Sequence, residues 1–182
     1  QKERLPLLLW VYPGEIKNAA LAGQVEDSPY RFLRPFWGGA MLFALAGYAV
    51  LEYPTFPIVG EGDAEPNDTY IEQLVSSAQA AVDYLDSHGF VDPKRCAVGG
   101  HSYGAFTVAN LLAHSRIFAC GIARSGAYNR TLTPFGFQSE ERNFWDAKDV
   151  YHRLSPFENS DKLEGPLLLI HGSDDNNSGT HC

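Results

Sequence analysis

Short apolar runs recur along this chain, separated by longer amphipathic or mixed segments. The runs lie at 5–12, 47–53, 96–98, 117–123 and 166–171, and turn-forming residues follow most of them. Runs of this length that are apolar on both faces are typical of strands buried in a parallel sheet. The pattern therefore predicts five strands in one covered sheet.

The segments between these runs predict helices. The clearest helix is predicted to begin at a capping box formed by Thr69 and Glu72, with apolar positions at helical spacing up to Leu85 and Gly89 beyond its end. Further helices are predicted after Ser102 and over 36–46 and 140–151, and mostly loop is predicted over 15–35, 58–67 and 125–136. Alternating strands and helices predict an α/β fold, with a mostly parallel sheet and helices on both faces.

The segment 95–115 carries the strongest chemical signal. Gly100-His101-Ser102-Tyr103-Gly104 has the form G-x-S-x-G and lies between a predicted strand and a predicted helix. This context predicts a nucleophile elbow, in which Ser102 stands at the apex and the backbone N–H of Tyr103 faces a developing oxyanion. The alternative is a glycine-rich loop that packs a helix on a sheet, with Ser102 as an ordinary turn residue.

Other polar side chains follow the predicted strands at their carboxyl ends. Tyr12, Arg124 and Asp175 each lie at or just after the end of an apolar run. Because ligands and chemistry gather at this edge of a parallel sheet, we expect these residues near Ser102. A serine nucleophile also needs a histidine and an acid, and Asp175 is the predicted acid, with Asp174 as its competitor.

Composition narrows the classes of function. The chain has 182 residues, 45% hydrophobic and 20% charged, with a net charge of −8, which suits one domain with a substantial core. The acidic balance disfavours binding to nucleic acid, and no apolar run is long enough to span a membrane. The acids of the loop 61–65 lack calcium-loop spacing and the three cysteines lack zinc-ligand spacing, so we expect no metal and no cofactor.

Several stretches resemble the prolyl oligopeptidase family of serine peptidases. The resemblance rests on Gly99-Gly100-His101-Ser102-Tyr103-Gly104 and on Leu168-Leu169-Ile170-His171-Gly172-Ser173-Asp174-Asp175. The stretches 60–63, 72–77, 109–114 and 121–138 are similar to the plastid branch of that family, which cleaves after glutamate. The resemblance implies an α/β-hydrolase fold, peptide substrates hydrolysed through an acyl-enzyme, and a location in the chloroplast stroma. It also implies a β-propeller domain, which is absent from these residues.

The family pattern H-G-x-x-D places the acid on Asp175, and it implies roles for two further residues. Tyr12 would add its hydroxyl to the oxyanion hole, although Pro13 departs from the small residue more common there. Asn177, two positions after the acid, would contact the substrate backbone. The alternative for Tyr12 is a strand-end aromatic residue whose hydroxyl lies in water.

Cleavage after glutamate requires a positive charge in the pocket for the residue before the cut. Arg124 and Arg130 flank a loop that helps to form this pocket in the family. A planar guanidinium matches a carboxylate well, and we favour Arg130 because it lies within the loop rather than at a strand end. The alternative is an arginine on the protein surface.

The triad also needs a histidine after the acid, carried beyond one more strand. His181 is the one histidine in 176–182, a segment too short for a strand and a return loop. We therefore expect residues 1–182 to form a partial α/β-hydrolase domain that lacks the last strand, the catalytic histidine loop and the final helix, and that hydrolyses peptides poorly by itself. The alternatives are a carboxylesterase, for which no H-G-G-G motif appears, and a non-catalytic fragment. Oligomeric state is not indicated.

Overall fold

A computed structural model describes residues 3–22, 30, 34–36 and 38–177. The strands are β1 (Leu5–Trp10), β2 (Gly14–Ile16), β3 (Ala49–Glu52), β4 (Pro57–Val59), β5 (Val91–His101), β6 (Cys120–Arg124) and β7 (Leu167–Ile170). The α-helices are α1 (Ala19–Ala22), α2 (Tyr70–Ser87), α3 (Tyr103–His114) and α4 (Lys148–Leu154). Short 3₁₀ helices cover Met41–Ala46, Pro66–Thr69, Arg130–Leu132 and Pro156–Lys162.

Five strands form one parallel sheet in the order β3-β1-β5-β6-β7, which confirms the predicted architecture. The register pairs Trp10 with Gly99, His101 with Arg124, and Arg124 with Ile170. The carboxyl ends of the central strands therefore meet at one edge. β2 and β4 form a separate parallel pair that overlaps the segments 15–35 and 58–67, which were predicted to be mostly loop. Strands of three residues are too short to show a period of two.

The main core lies on one face of the sheet. Leu7 and Leu9, which alternate along β1, point into this core and pack against apolar side chains of α2 and α3. Leu8 and Trp10 face the other side and join a small cluster that includes Ala40. Residues 103–113 of α3 are all buried, as expected for a helix that is apolar on nearly every side.

α2 begins where predicted, with Thr69 as its N-cap residue, but the predicted capping box of Thr69 and Glu72 is wrong. The reciprocal capping box is made by Glu65 and Asp68 around the preceding 3₁₀ turn, whereas the Thr69 side chain does not cap the helix and accepts a hydrogen bond from Gln73 at 2.8 Å. A proline at the first position of that turn favours an earlier start. Gly89 follows the helix with φ of 73°, as predicted.

The predicted helix over 140–151 is also shorter than expected, because α4 begins only at Lys148. The Asn143 side chain accepts hydrogen bonds from the backbone N–H groups of Trp145 and Asp146, which is an alternative to helical bonding. Of the helix predicted over 36–46, the described residues form a 3₁₀ helix over Met41–Ala46. Among the described residues, no helix is both long and apolar enough to cross a membrane.

Candidate active site

Ser102 occupies the turn between β5 and α3 with φ of 57° and ψ of −116°. A positive φ is uncommon for a residue other than glycine, and it persists where the surroundings hold it in place. The Ser102 N–H donates to the Arg124 carbonyl at 2.9 Å, and the Ser102 carbonyl accepts from Ala105 at 3.0 Å and from Phe106 at 3.3 Å. The serine backbone is thus fixed from both sides, as a nucleophile elbow requires.

The two glycines of the motif lie where strand and helix cross. A Cβ atom on Gly100 would lie 2.4 Å from the backbone carbon of Gly104, and one on Gly104 would lie 2.3 Å from the Val11 carbonyl oxygen. Real Cβ atoms essentially never approach backbone atoms so closely. Only a residue without a Cβ atom fits at either position.

Tyr103 and Tyr12 lie side by side next to the elbow. The Tyr103 ring is 2% exposed and stacks on Phe106 at 5.2 Å, and its hydroxyl donates to Glu15. Burial is the main cause that raises the pKa of Tyr103 well above its ordinary value, so its phenol stays protonated. The Tyr12 ring meets the Tyr103 ring edge-on at 6.0 Å and is 42% exposed, beside the serine turn. The role of Tyr12 in an oxyanion hole stays a prediction.

A cleft of about 130 Å³ opens beside the elbow, and we call it the site cleft. It is lined by Ser102, Tyr103, Ala127, Arg130, Thr133, Gln138 and Asn177. Four predicted site residues from three separate segments therefore meet here: Ser102, Tyr103, Arg130 and Asn177.

Arg130 is 6% exposed, so the alternative of an arginine on the protein surface is wrong. Its guanidinium carbon lies 4.2 Å from the ring centre of Phe106 and 4.8 Å from that of Phe137. Aromatic faces attract a cation, which offsets part of the cost of burying it. Arg124, by contrast, lies over the Trp10 ring at 5.7 Å and donates to the Gly38 carbonyl at 3.0 Å. Of the two candidate arginines, Arg130 is the one that lines the site cleft.

Asp175 lies on the turn that follows β7. Its N–H donates to the Gly172 carbonyl at 3.2 Å, and its Oδ1 accepts from the Asn177 N–H at 3.0 Å. Its Oδ2 lies 3.3 Å from His171 Nε2. Asp174 is exposed, whereas the Asp175 side chain is 15% exposed, and this difference favours Asp175 as the acid.

No complete triad is assembled within the described part of the chain. There, Ser102 Oγ makes no hydrogen bond to a histidine, and His101 Nδ1 contacts the carbonyl and the Nε of Arg124, each at 3.2 Å. His101 therefore packs against Arg124. His181 lies outside the described residues.

Sequence reasoning missed three polar residues at the site: Glu15, Thr133 and Gln138. Thr133 donates to the Arg130 carbonyl at 3.1 Å, and Gln138 has φ of 51° in a tight turn. Glu15 lies in β2, within a segment predicted to be loop. None belongs to a motif, so only the three-dimensional arrangement identifies them.

The sequence profile of the Prolyl oligopeptidase family matches residues 68–180, which is more than half of the chain. The chain belongs to this family. It is 57% identical to a protein of Arabidopsis thaliana named "Probable glutamyl endopeptidase, chloroplastic", over 97% of this chain and 18% of the relative. A protein of the same name from Oryza sativa subsp. japonica is 56% identical, over 97% of this chain and 19% of its own length. The chain spans about a fifth of the length of these curated relatives.

Solved structures of the family share the fold. Dipeptidyl peptidase 4 of Porphyromonas gingivalis matches 98% of this chain, and 24% of its own, with a TM-score of 0.68 at 21% identity. An acylaminoacyl peptidase of Pyrococcus horikoshii matches 99% of this chain, and 29% of its own, with a TM-score of 0.63 at 22% identity. The fold is therefore that of an α/β-hydrolase domain, as predicted.

Proposed function

We propose that this chain carries the nucleophile, the acid and the specificity cleft of a serine peptidase that cleaves peptide bonds after glutamate. The observation that carries the proposal is the presence of Ser102 and a buried guanidinium, that of Arg130, in one cleft. The names of the plant relatives support the same specificity.

In the proposed mechanism, Ser102 Oγ attacks the carbonyl carbon before the cut and forms a C–O bond. Its proton passes to a histidine that follows Asp175, and the histidine then donates a proton to the departing amine as the C–N bond breaks. The Tyr103 N–H and the Tyr12 hydroxyl stabilise the oxyanion, and the Asp175 carboxylate orients the histidine. Water then attacks the acyl carbon while the histidine takes a proton from it, and the histidine returns a proton to Ser102 Oγ as the ester C–O bond breaks.

In this proposal, the site cleft selects the side chain of the residue that precedes the scissile bond. A glutamate carboxylate entering it would meet the Arg130 guanidinium, which offers planar, paired N–H donors. The rings of Phe106 and Phe137 keep this cation in a poorly solvated place, where charge pairing is stronger than in water. Asn177 lies on the Asp175 side of the same cleft, where it can contact the substrate backbone.

We also propose that residues 1–182 supply only part of the catalytic domain. Two observations support this: the described residues place no histidine at Ser102 Oγ, and the β7 side chains Leu168 and Leu169 are 56% and 58% exposed. Further chain beyond β7 would cover them and carry the base. The plant relatives are named as probable glutamyl endopeptidases and as chloroplastic, which supports peptides as the substrates and the chloroplast as the location, and we propose the stroma within it.

The nucleophile is tested in a chimera, defined as the Arabidopsis relative with its matching segment replaced by this chain. Ser102→Ala should reduce kcat on the order of a million-fold, because triad members act as a unit. It should also abolish labelling by a fluorophosphonate probe. A Ser102→Ala chimera with undiminished peptide hydrolysis would reject the assignment. The isolated chain should label far more slowly than the chimera, and equal labelling would contradict the partial-domain proposal.

The role of Arg130 is tested by comparing kcat/KM for peptides with Glu and with Gln before the cut. Arg130→Ala should lower the Glu-to-Gln preference about 10- to 100-fold, as expected for loss of hydrogen bonds to a charged group. Arg116→Ala is the matched control, since Arg116 is exposed and pairs with Glu164 away from the site cleft. An unchanged preference in Arg130→Ala would show that this residue does not select charge.

A further inference from the structure

Glu15 joins two segments that border the site cleft. One carboxylate oxygen accepts a hydrogen bond from the Tyr103 hydroxyl, and the other accepts from the Ser139 N–H at 2.8 Å. Tyr103 lines the site cleft directly, and Ser139 follows Gln138, which also lines it. A single side chain from β2 therefore bridges two walls of the cleft.

The second wall is a tight turn over 136–140, which we call the rim turn. Phe137 and Glu140 exchange backbone hydrogen bonds of 3.2 and 2.9 Å across it, and Gln138 has a positive φ inside it. Such a closed turn moves as one piece. A hydrogen bond to the Ser139 N–H therefore also fixes the Gln138 backbone.

The rim turn has another anchor on its far side. The Glu140 carboxylate accepts two hydrogen bonds of 2.8 Å from the Arg142 guanidinium, which also pairs with Asp68 at 2.8 Å. This network ties the turn to the start of α2. Among the described residues, Glu15 is the side chain that hydrogen-bonds to both the turn and Tyr103.

We propose that Glu15 is a positioning residue that sets the separation between Tyr103 and Gln138, and thereby the fit of a glutamate side chain against Arg130. The inference rests on the proposed function and adds a determinant of its specificity. Glu15 acts through Tyr103 and Ser139 and does not touch the reacting atoms. A carboxylate suits the role because its two oxygens can accept from two donors that face it from different directions.

The chemistry of the two donors predicts how substitutions rank. Glu15→Gln keeps one acceptor oxygen but turns an NH₂ group towards the second donor. Glu15→Ala removes both acceptors. Glu15→Gln should therefore lie between the wild type and Glu15→Ala in every measurement that reports the bridge.

The first experiment measures hydrogen exchange in the chimera, and it does not depend on peptidase activity. Glu15→Ala should speed exchange in the peptide that contains the Ser139 amide, because that amide loses its acceptor. Glu141→Ala is the matched control: it removes an acid next to the rim turn, with a side chain that is 86% exposed and lies 3.9 Å from Lys17. Unchanged exchange at Ser139 in Glu15→Ala would overturn the inference.

The second experiment separates cleft geometry from general damage. Glu15→Ala should lower kcat/KM for Glu peptides about tenfold and reduce the Glu-to-Gln preference, as loss of one or two hydrogen bonds would. Labelling of Ser102 by a small fluorophosphonate, which leaves the site cleft unfilled, should keep its wild-type rate. An equal loss in labelling would indicate a merely structural role and would overturn the proposal.

A double-mutant cycle with Tyr103→Phe tests the route of action. This substitution removes the hydroxyl and keeps the backbone N–H. If Glu15 acts partly through that hydroxyl, the two losses of Glu preference should not add, whereas additive losses would overturn the proposed route. A wild-type chimera that cleaved no peptide would reject the proposed function instead, and hydrogen exchange would still decide whether Glu15 holds the rim turn.

Discussion

The two sides of the candidate site are built differently. On the nucleophile side, Ser102 is held between β5 and a helix in which residues 103–113 are all buried. On the acid side, Asp175 follows β7, where Leu168, Leu169 and Ile170 are 56%, 58% and 44% exposed. One half of the chemistry is embedded in the main core, and the other lies on an open turn.

Part of the difference reflects the partial domain proposed above, in which further chain would cover β7, and the rest follows from what each residue must do. A serine at positive φ is strained, and strain of this kind persists only where packing and hydrogen bonds on every side hold it. An aspartate that orients a histidine needs only a fixed carboxylate, which a short turn with two backbone hydrogen bonds supplies for Asp175. The elbow therefore depends on tertiary packing more than the acid turn does.

Within this comparison, the largest effect is expected from the two acids on the turn after β7. In the chimera, Asp175→Asn should reduce kcat on the order of 10⁴-fold. The asparagine amide can offer an N–H donor to the histidine ring, whereas the ring N–H needs an acceptor to be held in the correct tautomer. Asp174→Asn is the control and should leave kcat near the wild-type value, since Asp174 is exposed. A comparable loss in Asp174→Asn, with kcat retained in Asp175→Asn, would show that Asp174 is the catalytic acid.

Substitutions of two glycines test how tightly the nucleophile side and the acid side are packed. Gly104→Ala places a methyl group against the Val11 carbonyl and should lower the free energy of unfolding by about 3 kcal/mol or more. Gly172→Ala, on the acid side, meets nothing within 4 Å and should change it by less than about 0.5 kcal/mol. Urea unfolding of both variants measures the difference, and equal losses would show that the two sides are equally packed.

A smaller effect is expected from pH at the rim turn. Burial of the Glu140 carboxyl raises its pKa, but hydrogen bonds and charge from Arg142 outweigh burial and hold the pKa below the ordinary value of 4.5. A lowered pKa in the folded state means that this contribution to stability is complete above pH 4.5 and is lost as the pH falls through the folded pKa.

Thermal unfolding at pH 7 and at pH 3.5 checks this expectation. In Glu140→Gln, the melting temperature should fall less between pH 7 and pH 3.5 than it does in the wild type. In Glu141→Gln, which changes an exposed position, the fall should equal that of the wild type. A decline of the same steepness in Glu140→Gln would show that this carboxyl does not contribute to acid sensitivity.

Much of the fold and the nucleophile could be predicted from local sequence. Apolar runs such as 5–12 and 166–171 identify strands because buried parallel strands have no polar face. The elbow is predictable since Gly100, Ser102 and Gly104 lie within five consecutive residues whose spacing reflects the crossing of β5 and α3.

The rest depends on contacts between distant parts of the chain. Glu15 is 88 residues from Tyr103 and 124 residues from Ser139, so no local pattern relates them. The capping box was misplaced because Thr69 and Glu72 fit the usual pattern of Ser or Thr followed three residues later by Glu, whereas the observed pair, Glu65 and Asp68, does not. The helix predicted over 140–151 begins only at Lys148, because side-chain bonds of Glu140 and Asn143 compete with helical ones before it.

The approach of Gly104 to the Val11 carbonyl limits how this site can diverge among related sequences. Val11 immediately precedes Tyr12, so any replacement that lifts α3 from this carbonyl also displaces the tyrosine from the elbow. A larger residue at position 104 would persist in a descendant only together with a compensating shift of the segment after β1. Changes at position 104 and in the segment after β1 should therefore occur together in related sequences. Sequences that keep Ser102 should also keep Gly104.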